Sequence, residues 1–509
     1  MHHPSASRSR FVSHALFCGF AVAFAAPAVA ADARPCPAPV ADAKPGQDAQ
    51  VRAIEQGLGP MVISSHTRLQ SIEDRMRHYG VPGISVAVIH EGKLAWAQGW
   101  GVRDASTCAP VTTSTQFQAA SISKTIAAAA ALRLVERGRL SLDADINSEL
   151  KQWQLPLPQG AGPVTLRGLL SHTGGTTVHG FAGYSQQGPL PTTLQILEGA
   201  APANSAAVRV DLPPGWQFRY SGGGYTVAEL AMTDSAGVAY PALVQDEVFA
   251  PLDMQRSSVG TPLAGTGADV AQAHSNGQVI QGGYHRYPEL AAAALWTTPS
   301  DLARLLIDVQ ASAHDRPARL LKPDTARQML TQQAVAPPLA EGWGLGVALN
   351  GAGTERRFGH DGRNEGFEST MVAYVDRGEG IVVLTNADHG KQLADEVVRA
   401  AANAYGWDGL RSREVAEVEV PEEALEQYVG YYRFDQLQLW IERQGRQLSA
   451  RIVGADTQPL IALSPSRFIS TTNASVGEFE RDAQGNVSGL RLIEGGPPVT
   501  LLRSAPPRS

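Results

Sequence analysis

The stretch Phe117–Gly138, FQAASISKTIAAAAALRLVERG, sets Ser121 and Lys124 three residues apart at the head of an apolar helix. Residues 127–131 are alanines, the best helix formers, and Leu132, Leu134 and Val135 add bulk, so the segment suits burial among close neighbours. Gly138 is a stop signal, and Arg133 and Arg137 suit the negative end of the helix dipole. With Ser121 at the helix start, both side chains share one face. The serine N–H then faces any developing oxyanion, and a partly buried lysine there has a lowered pKa and serves as a base. SxxK is a short pattern, and a second copy, Ser148–Lys151, is followed by Pro156 and Pro158; it reads as surface.

Composition sets the bounds. The chain has 509 residues, 43% hydrophobic and 18% charged, with a formal charge of -7 that becomes -9 without Arg8 and Arg10. A mildly acidic chain without basic runs excludes an electrostatic nucleic-acid binder. Residues 1–30 read as a secretory signal: Arg8 and Arg10, an apolar run Phe11–Phe24, and Ala28-Val29-Ala30 before the cut. Cys18 lies inside that run after a bulky Phe17, which argues against a lipid anchor. The mature chain is expected to be periplasmic or secreted, with no stable membrane insertion. It keeps Cys36 and Cys108, which either form one disulfide or stay as two thiols.

Residues 31–50 read as a linker, and 51–412 as one mixed α/β domain. A helix is expected over 65–79, then a hairpin of Ile84–Ile89 and Leu94–Trp100. Residues 176–212 are Gly- and Pro-containing and polar, a loop-rich substrate side. Helical patterns return at Thr226–Ser235, Ala239–Phe249, Ser300–Ala311 and Gln392–Tyr405. Strands are expected over 343–350, 356–360, 368–376 and 380–385. This order predicts an antiparallel sheet made by joining the two ends of the domain around a helical insert. After a linker at 413–424, seven short strands between Tyr431 and Ile493 predict a small antiparallel barrel or sandwich over 425–509.

The nucleophile elbow GxSxG, the zinc motif HExxH and paired CxxC are absent, so no metal or cofactor is expected; His172, His179 and His360 read as turn histidines. SISK at 121–124, YSG at 220–222 and HDG at 360–362, with GVPGISVAVI, LRGLLSHTGG, PPGWQFRYSGGGY, TTPSDLARLL and GHDGRNEGF around them, resemble the class C β-lactamase and DD-peptidase family of serine hydrolases over roughly residues 65–405.

That resemblance implies a sheet flanked by helices, an all-helical region opposite, and a site between them. It implies Ser121 as nucleophile, Lys124 bonded to it, and Tyr220 as proton shuttle, with a Lys⁺ holding the phenolate. His360 and Gly362 stand in the third motif, in the HxG version of the family's esterases and peptidases. The backbone N–H of Arg363 is implied as the second oxyanion donor beside that of Ser121. Gly222 replaces the asparagine of YxN, so the side-chain amide that would hold a substrate amide is missing. The C-terminal region resembles lipocalin-like modules. The expected function is an exported serine hydrolase working through an acyl-enzyme on a carboxylic ester, a small amide or a peptide. The alternatives are a D-Ala-D-Ala carboxypeptidase or β-lactamase, and a catalytically silent binding protein.

Overall fold

A computed structural model describes residues 36, 48–263, 269–435, 437–452, 457–493 and 498–506. The expected secretory signal, Cys18 and most of the first linker lie outside the described residues. Cys36 and Cys108 are both disulfide-bonded.

The main sheet has nine strands in the order Ala334–Val335, Gly342–Trp343, Ala348–Asn350, Arg357–Asn364, Phe367–Tyr374, Gly380–Thr385, Gly83–His90, Lys93–Asp104 and Ala109–Pro110, each antiparallel to its neighbour. Its seam joins the two ends of the domain: Thr385 lies opposite Ile84 and Gly380 opposite Ile89. Alternation along Gly83–His90 feeds two cores. Ile84, Val86 and Val88 pack with Leu393, Val397 and Ala401 of the Gly390–Tyr405 helix, and Ala87 and Ile89 belong to the core of the helical insert.

The alanine run forms the centre of that insert. Its helix spans Ser123–Glu136, and Ala127–Ala131 are all fully buried. The small side chains let backbone approach. Gly346 turns through φ +77°, where a Cβ would lie 2.3 Å from that of Ala128, and its carbonyl accepts the Thr125 hydroxyl at 2.8 Å. The same turn splits the expected strand over 343–350 into Gly342–Trp343 and Ala348–Asn350. Ahead of the helix, Phe117–Ala120 is a buried strand paired with Leu295–Thr297, not the start of the helix.

The C-terminal region is a closed barrel of eight antiparallel strands, one more than the sequence pattern suggested. The extra strand, Val499–Ser504, closes the barrel on Gly430–Phe434, with Tyr431 opposite Ser504. Residues 413–424, expected as a linker, are in contact with both neighbouring regions. Arg413 and Glu414 run parallel to Val62 and Ile63, while Val420 is buried in the barrel core. Val62 also packs with Ile461, Ile469 and Val476 of the barrel. No helix among the described residues is long and apolar enough to cross a membrane.

Candidate active site

The site is built on the tight turn that links the Phe117–Ala120 strand to the alanine helix. Ala120 holds a left-handed φ of +50°, a strained setting for a residue with a Cβ, immediately before Ser121. The helix proper starts two residues later than expected, at Ser123, and the Lys124 N–H donates to the Ser121 carbonyl at 3.0 Å. Ser121 stays partly exposed whereas Lys124 is buried.

Lys124 Nζ and Ser121 Oγ are 3.1 Å apart, within hydrogen-bond reach, and Nζ also donates to the Ala292 carbonyl at 2.7 Å. Burial lowers the Lys124 pKa to about 7, because desolvation penalises the ammonium. The amine is therefore available as a base near neutral pH.

Tyr220 enters from the turn before the Gly222–Ala236 helix. Ser221 caps that helix: its hydroxyl accepts the Gly224 N–H at 2.9 Å and donates to the Thr177 carbonyl at 2.6 Å. The Tyr220 phenol hydrogen-bonds Ser121, and its ring lies 5.0 Å from Lys124 Nζ. Burial raises the phenol pKa above its ordinary value despite that bond, and the charge of Asp361 adds to the rise. Burial thus acts on both partners toward the neutral form, lowering the pKa of the amine and raising that of the phenol.

Strand Arg357–Asn364 closes the other side. His360, Gly362 and Asn364 face inward, and Asp361 and Arg363 face out. The Asn364 amide donates to Gln118 Oε1 at 2.8 Å and to the Ala293 carbonyl at 3.0 Å, tying the strand to the segment before Ser121. A Cβ on Gly362 would lie 2.2 Å from the Ala119 carbonyl oxygen, so only glycine allows this approach. The Arg363 side chain is largely exposed and pairs with Glu368 at 3.4 Å. His360 sits within a strand rather than a turn, and burial lowers its pKa to about 3, with the nearby Lys124 adding to the shift.

The structure therefore brings Ser121, Lys124, Tyr220, His360 and Gly362 together. It also adds residues that the sequence reading did not assign to the site. The His172 ring lies 4.2 Å from that of Tyr220, and its Nδ1 accepts the Ser221 N–H at 3.0 Å. His172 holds φ +60°, and burial keeps its ring neutral. Trp343 and Phe218 pack beside it, with ring centroids 5.1 and 5.7 Å from His172. At Gly222, Phe181 occupies the space a side chain would need, 2.9 Å from a Cβ there. The SHTG turn and WGLGV segment carried the signal for His172 and Trp343; nothing in the sequence pointed to Phe181 or to the Ala292 carbonyl. Among the described residues no group of three or more His, Cys, Asp or Glu is placed to hold a metal ion.

The family model Beta-lactamase matches residues 69–405, which contain all these groups. The chain belongs to the beta-lactamase family. That family is one of serine hydrolases. Penicillin-binding protein 4 of Amycolatopsis lactamdurans is 27% identical over 366 residues, covering 69% of this chain and 92% of that protein. Protein flp of Staphylococcus aureus strain N315 is 21% identical over 342 residues, 62% of this chain. The match spans 61% of the length of that staphylococcal relative. The fold of this beta-lactamase family member is also that of the octameric penicillin-binding protein homologue from Pyrococcus abyssi, with TM-score 0.59 at 23% identity over 85% of this chain and 98% of that one. D-amino acid amidase from Ochrobactrum anthropi SV3 aligns with TM-score 0.54 at 22% identity, over 70% of this chain and 99% of that one.

Proposed function

We propose that this protein is an exported serine hydrolase that acts through an acyl-enzyme on a carboxylic ester or a small amide. The observation that carries the reading is the buried Lys124 amine, 3.1 Å from Ser121 Oγ, with its pKa lowered to about 7. A serine needs such a base within reach to attack a carbonyl.

In this reading Lys124 Nζ takes the hydroxyl proton as Ser121 Oγ bonds to the carbonyl carbon. The tetrahedral oxyanion is held by the N–H groups of Ser121 and Arg363, each such donor contributing about 3 kcal/mol. Tyr220, kept protonated by burial, passes its proton to the leaving group and is reprotonated from Lys124. The Ser121 ester is then hydrolysed by water along the reverse proton path. Export is supported by the leader-like residues 1–30 and by disulfide-bonded Cys36 and Cys108, since disulfides persist in oxidising compartments.

A second reading, a penicillin-sensitive peptidase, is favoured by the likeness to the Amycolatopsis penicillin-binding protein. The intact mass of the protein after exposure to p-nitrophenyl acetate and, separately, to a penicillin decides between them. An acetyl adduct with turnover, lost in Ser121→Ala, supports the esterase reading, whereas a long-lived penicilloyl adduct supports the peptidase. No adduct and no turnover with either overturns both in favour of a binding protein.

A further inference from the structure

The carbonyl that directs Lys124 belongs to a helix with no polar side chain of its own. Leu290–Ala293 is a single turn, its three alanines are buried, and Glu289 at its N-cap makes no capping hydrogen bond. Both Glu289 carboxylate oxygens lack a hydrogen-bond partner. Yet this turn serves two walls of the site. The Ala292 carbonyl accepts from Lys124 Nζ at 2.7 Å, and the Ala293 carbonyl accepts from the Asn364 amide at 3.0 Å, on the strand that carries His360 and Gly362. So short a helix does not hold itself in place by its own backbone bonds.

Its anchor comes from a neighbouring helix. Glu229 Oε2 accepts the Ala291 N–H at 2.8 Å. That N–H is one of those a helix start leaves without an internal partner, so Glu229 does from outside what an N-cap side chain does locally. Glu229 lies on the Gly222–Ala236 helix, about two turns beyond the end that follows Tyr220. Its carboxyl is buried, and burial raises its pKa to about 8 against the pull of the Ala291 N–H, with the charge of Glu289 adding to the rise. Tyr240 is the other titratable group that feels it. Near neutral pH the group is therefore mostly the acid, whose Oε2 still accepts from Ala291 while Oε1 lies 3.4 Å from Thr193 Oγ1. A buried carboxyl is costly unless it is hydrogen-bonded, and the bond this one makes is to the turn that aims the base.

We infer that Glu229 is a positioning residue for the acyl transfer: through the Ala291 N–H it fixes the Leu290–Ala293 turn, and with it the Ala292 carbonyl that directs the Lys124 amine toward Ser121. This inference rests on the serine-hydrolase reading above. The coupling runs through hydrogen bonds rather than charge, since burial is the cause of the lowered Lys124 pKa and the Glu229 carboxylate does not contribute to it. One helix thus places both proton carriers, Tyr220 just ahead of its first turn and Lys124 by way of Glu229.

The test compares Glu229→Gln, Glu229→Met and Glu229→Asp by the pH profile of p-nitrophenyl acetate hydrolysis and by melting temperature. Gln keeps an oxygen for the Ala291 N–H without a charge, Met keeps the length without an acceptor, and Asp keeps the carboxyl but is one methylene too short. Glu229→Gln is expected to hold kcat within about twofold of wild type, with the acid limb still near pH 7. Glu229→Met and Glu229→Asp are expected to lower kcat about tenfold or more with KM little changed, as a misaimed base does. In both, the acid limb should move down by about one unit, because the ammonium loses the hold of the Ala292 carbonyl. A lower melting temperature with kcat and acid limb unchanged makes Glu229 a stabilising residue only and overturns the inference, as does failure of both variants to fold. An acid limb that moves as far in Glu229→Gln as in Glu229→Met assigns the effect to charge and overturns it too. Loss of p-nitrophenyl acetate turnover in Ser121→Ala separates these outcomes from failure of the underlying reading; a wild type that turns over no ester overturns both.

Discussion

The Lys124 amine is held by the Ala292 carbonyl, 2.7 Å from Nζ, on the short Leu290–Ala293 helix, and no carboxylate contributes to its pKa. A carbonyl bears no net charge, so it fixes the direction of the side chain and stabilises the ammonium less than a carboxylate would, and the loss of solvation dominates the pKa. The arrangement leaves the nitrogen lone pair free for the Ser121 proton.

It follows that kcat/KM rises with pH through about 7, as Lys124 loses its proton, and then levels. Lys124→Arg keeps the charge at all pH values and is expected to lower kcat/KM by about 10²–10⁴-fold. A pH profile of p-nitrophenyl acetate hydrolysis checks this; an acid limb centred below pH 5 rules out Lys124 as the base.

Gly222→Asn is expected to impair the protein rather than restore an amide contact, because Phe181 lies 2.9 Å from the new Cβ and the His179 carbonyl oxygen 3.3 Å. Overpacking of this kind costs about 1–3 kcal/mol. Adding Phe181→Ala frees the space, so the double variant should melt at or above the Gly222→Asn single variant. Calorimetry on the two checks it, and a lower melting temperature for the double variant counts against the collision.

Much of this was legible in the sequence, and the reasons differ by element. The two ends of the sheet were readable because Gly83–His90 and Gly380–Thr385 are β-branched runs bounded by turns. The SxxK turn was readable because the alanine run marks a helix whose head must lie nearby. The barrel's closing strand, Val499–Ser504, was not, since it is short and follows Pro497 and Pro498. Phe181 and Ala292 were out of reach for another cause. Phe181 acts by filling space and Ala292 by a backbone carbonyl, and neither role leaves a pattern along the chain.

Glu289 is fully buried, both carboxylate oxygens lack a hydrogen-bond partner, and desolvation raises its pKa to about 7. The folded state thus favours the protonated acid. Stability from this group is intact below the unfolded value of 4.5 and is lost as pH rises through about 7. Glu289→Gln removes the titration. The melting temperature of the variant relative to wild type should climb between pH 4.5 and 7 and hold level above; a pH-independent difference contradicts the assignment.

His172→Asn keeps a residue that tolerates the φ of +60° but loses the ring beside Tyr220 and the acceptor for Ser221 N–H. Misplacing Tyr220 should lower kcat about tenfold or more with KM and the acid limb near pH 7 little changed. An unaltered kcat removes His172 from the positioning of Tyr220.

The seam between Ile84 and Thr385 has a consequence for how the protein reaches its active state. The sheet closes only when segments near opposite ends of the domain meet, after the intervening chain has been synthesised. Such non-local pairing makes folding slow. The strand bearing His360 and Gly362 docks against Ala119 as part of that sheet, so the cleft beside Ser121 is complete only once the sheet has closed. Hydrolytic activity, if recovered during refolding, should lag behind helical signal, making the nucleophile a reporter of completed topology.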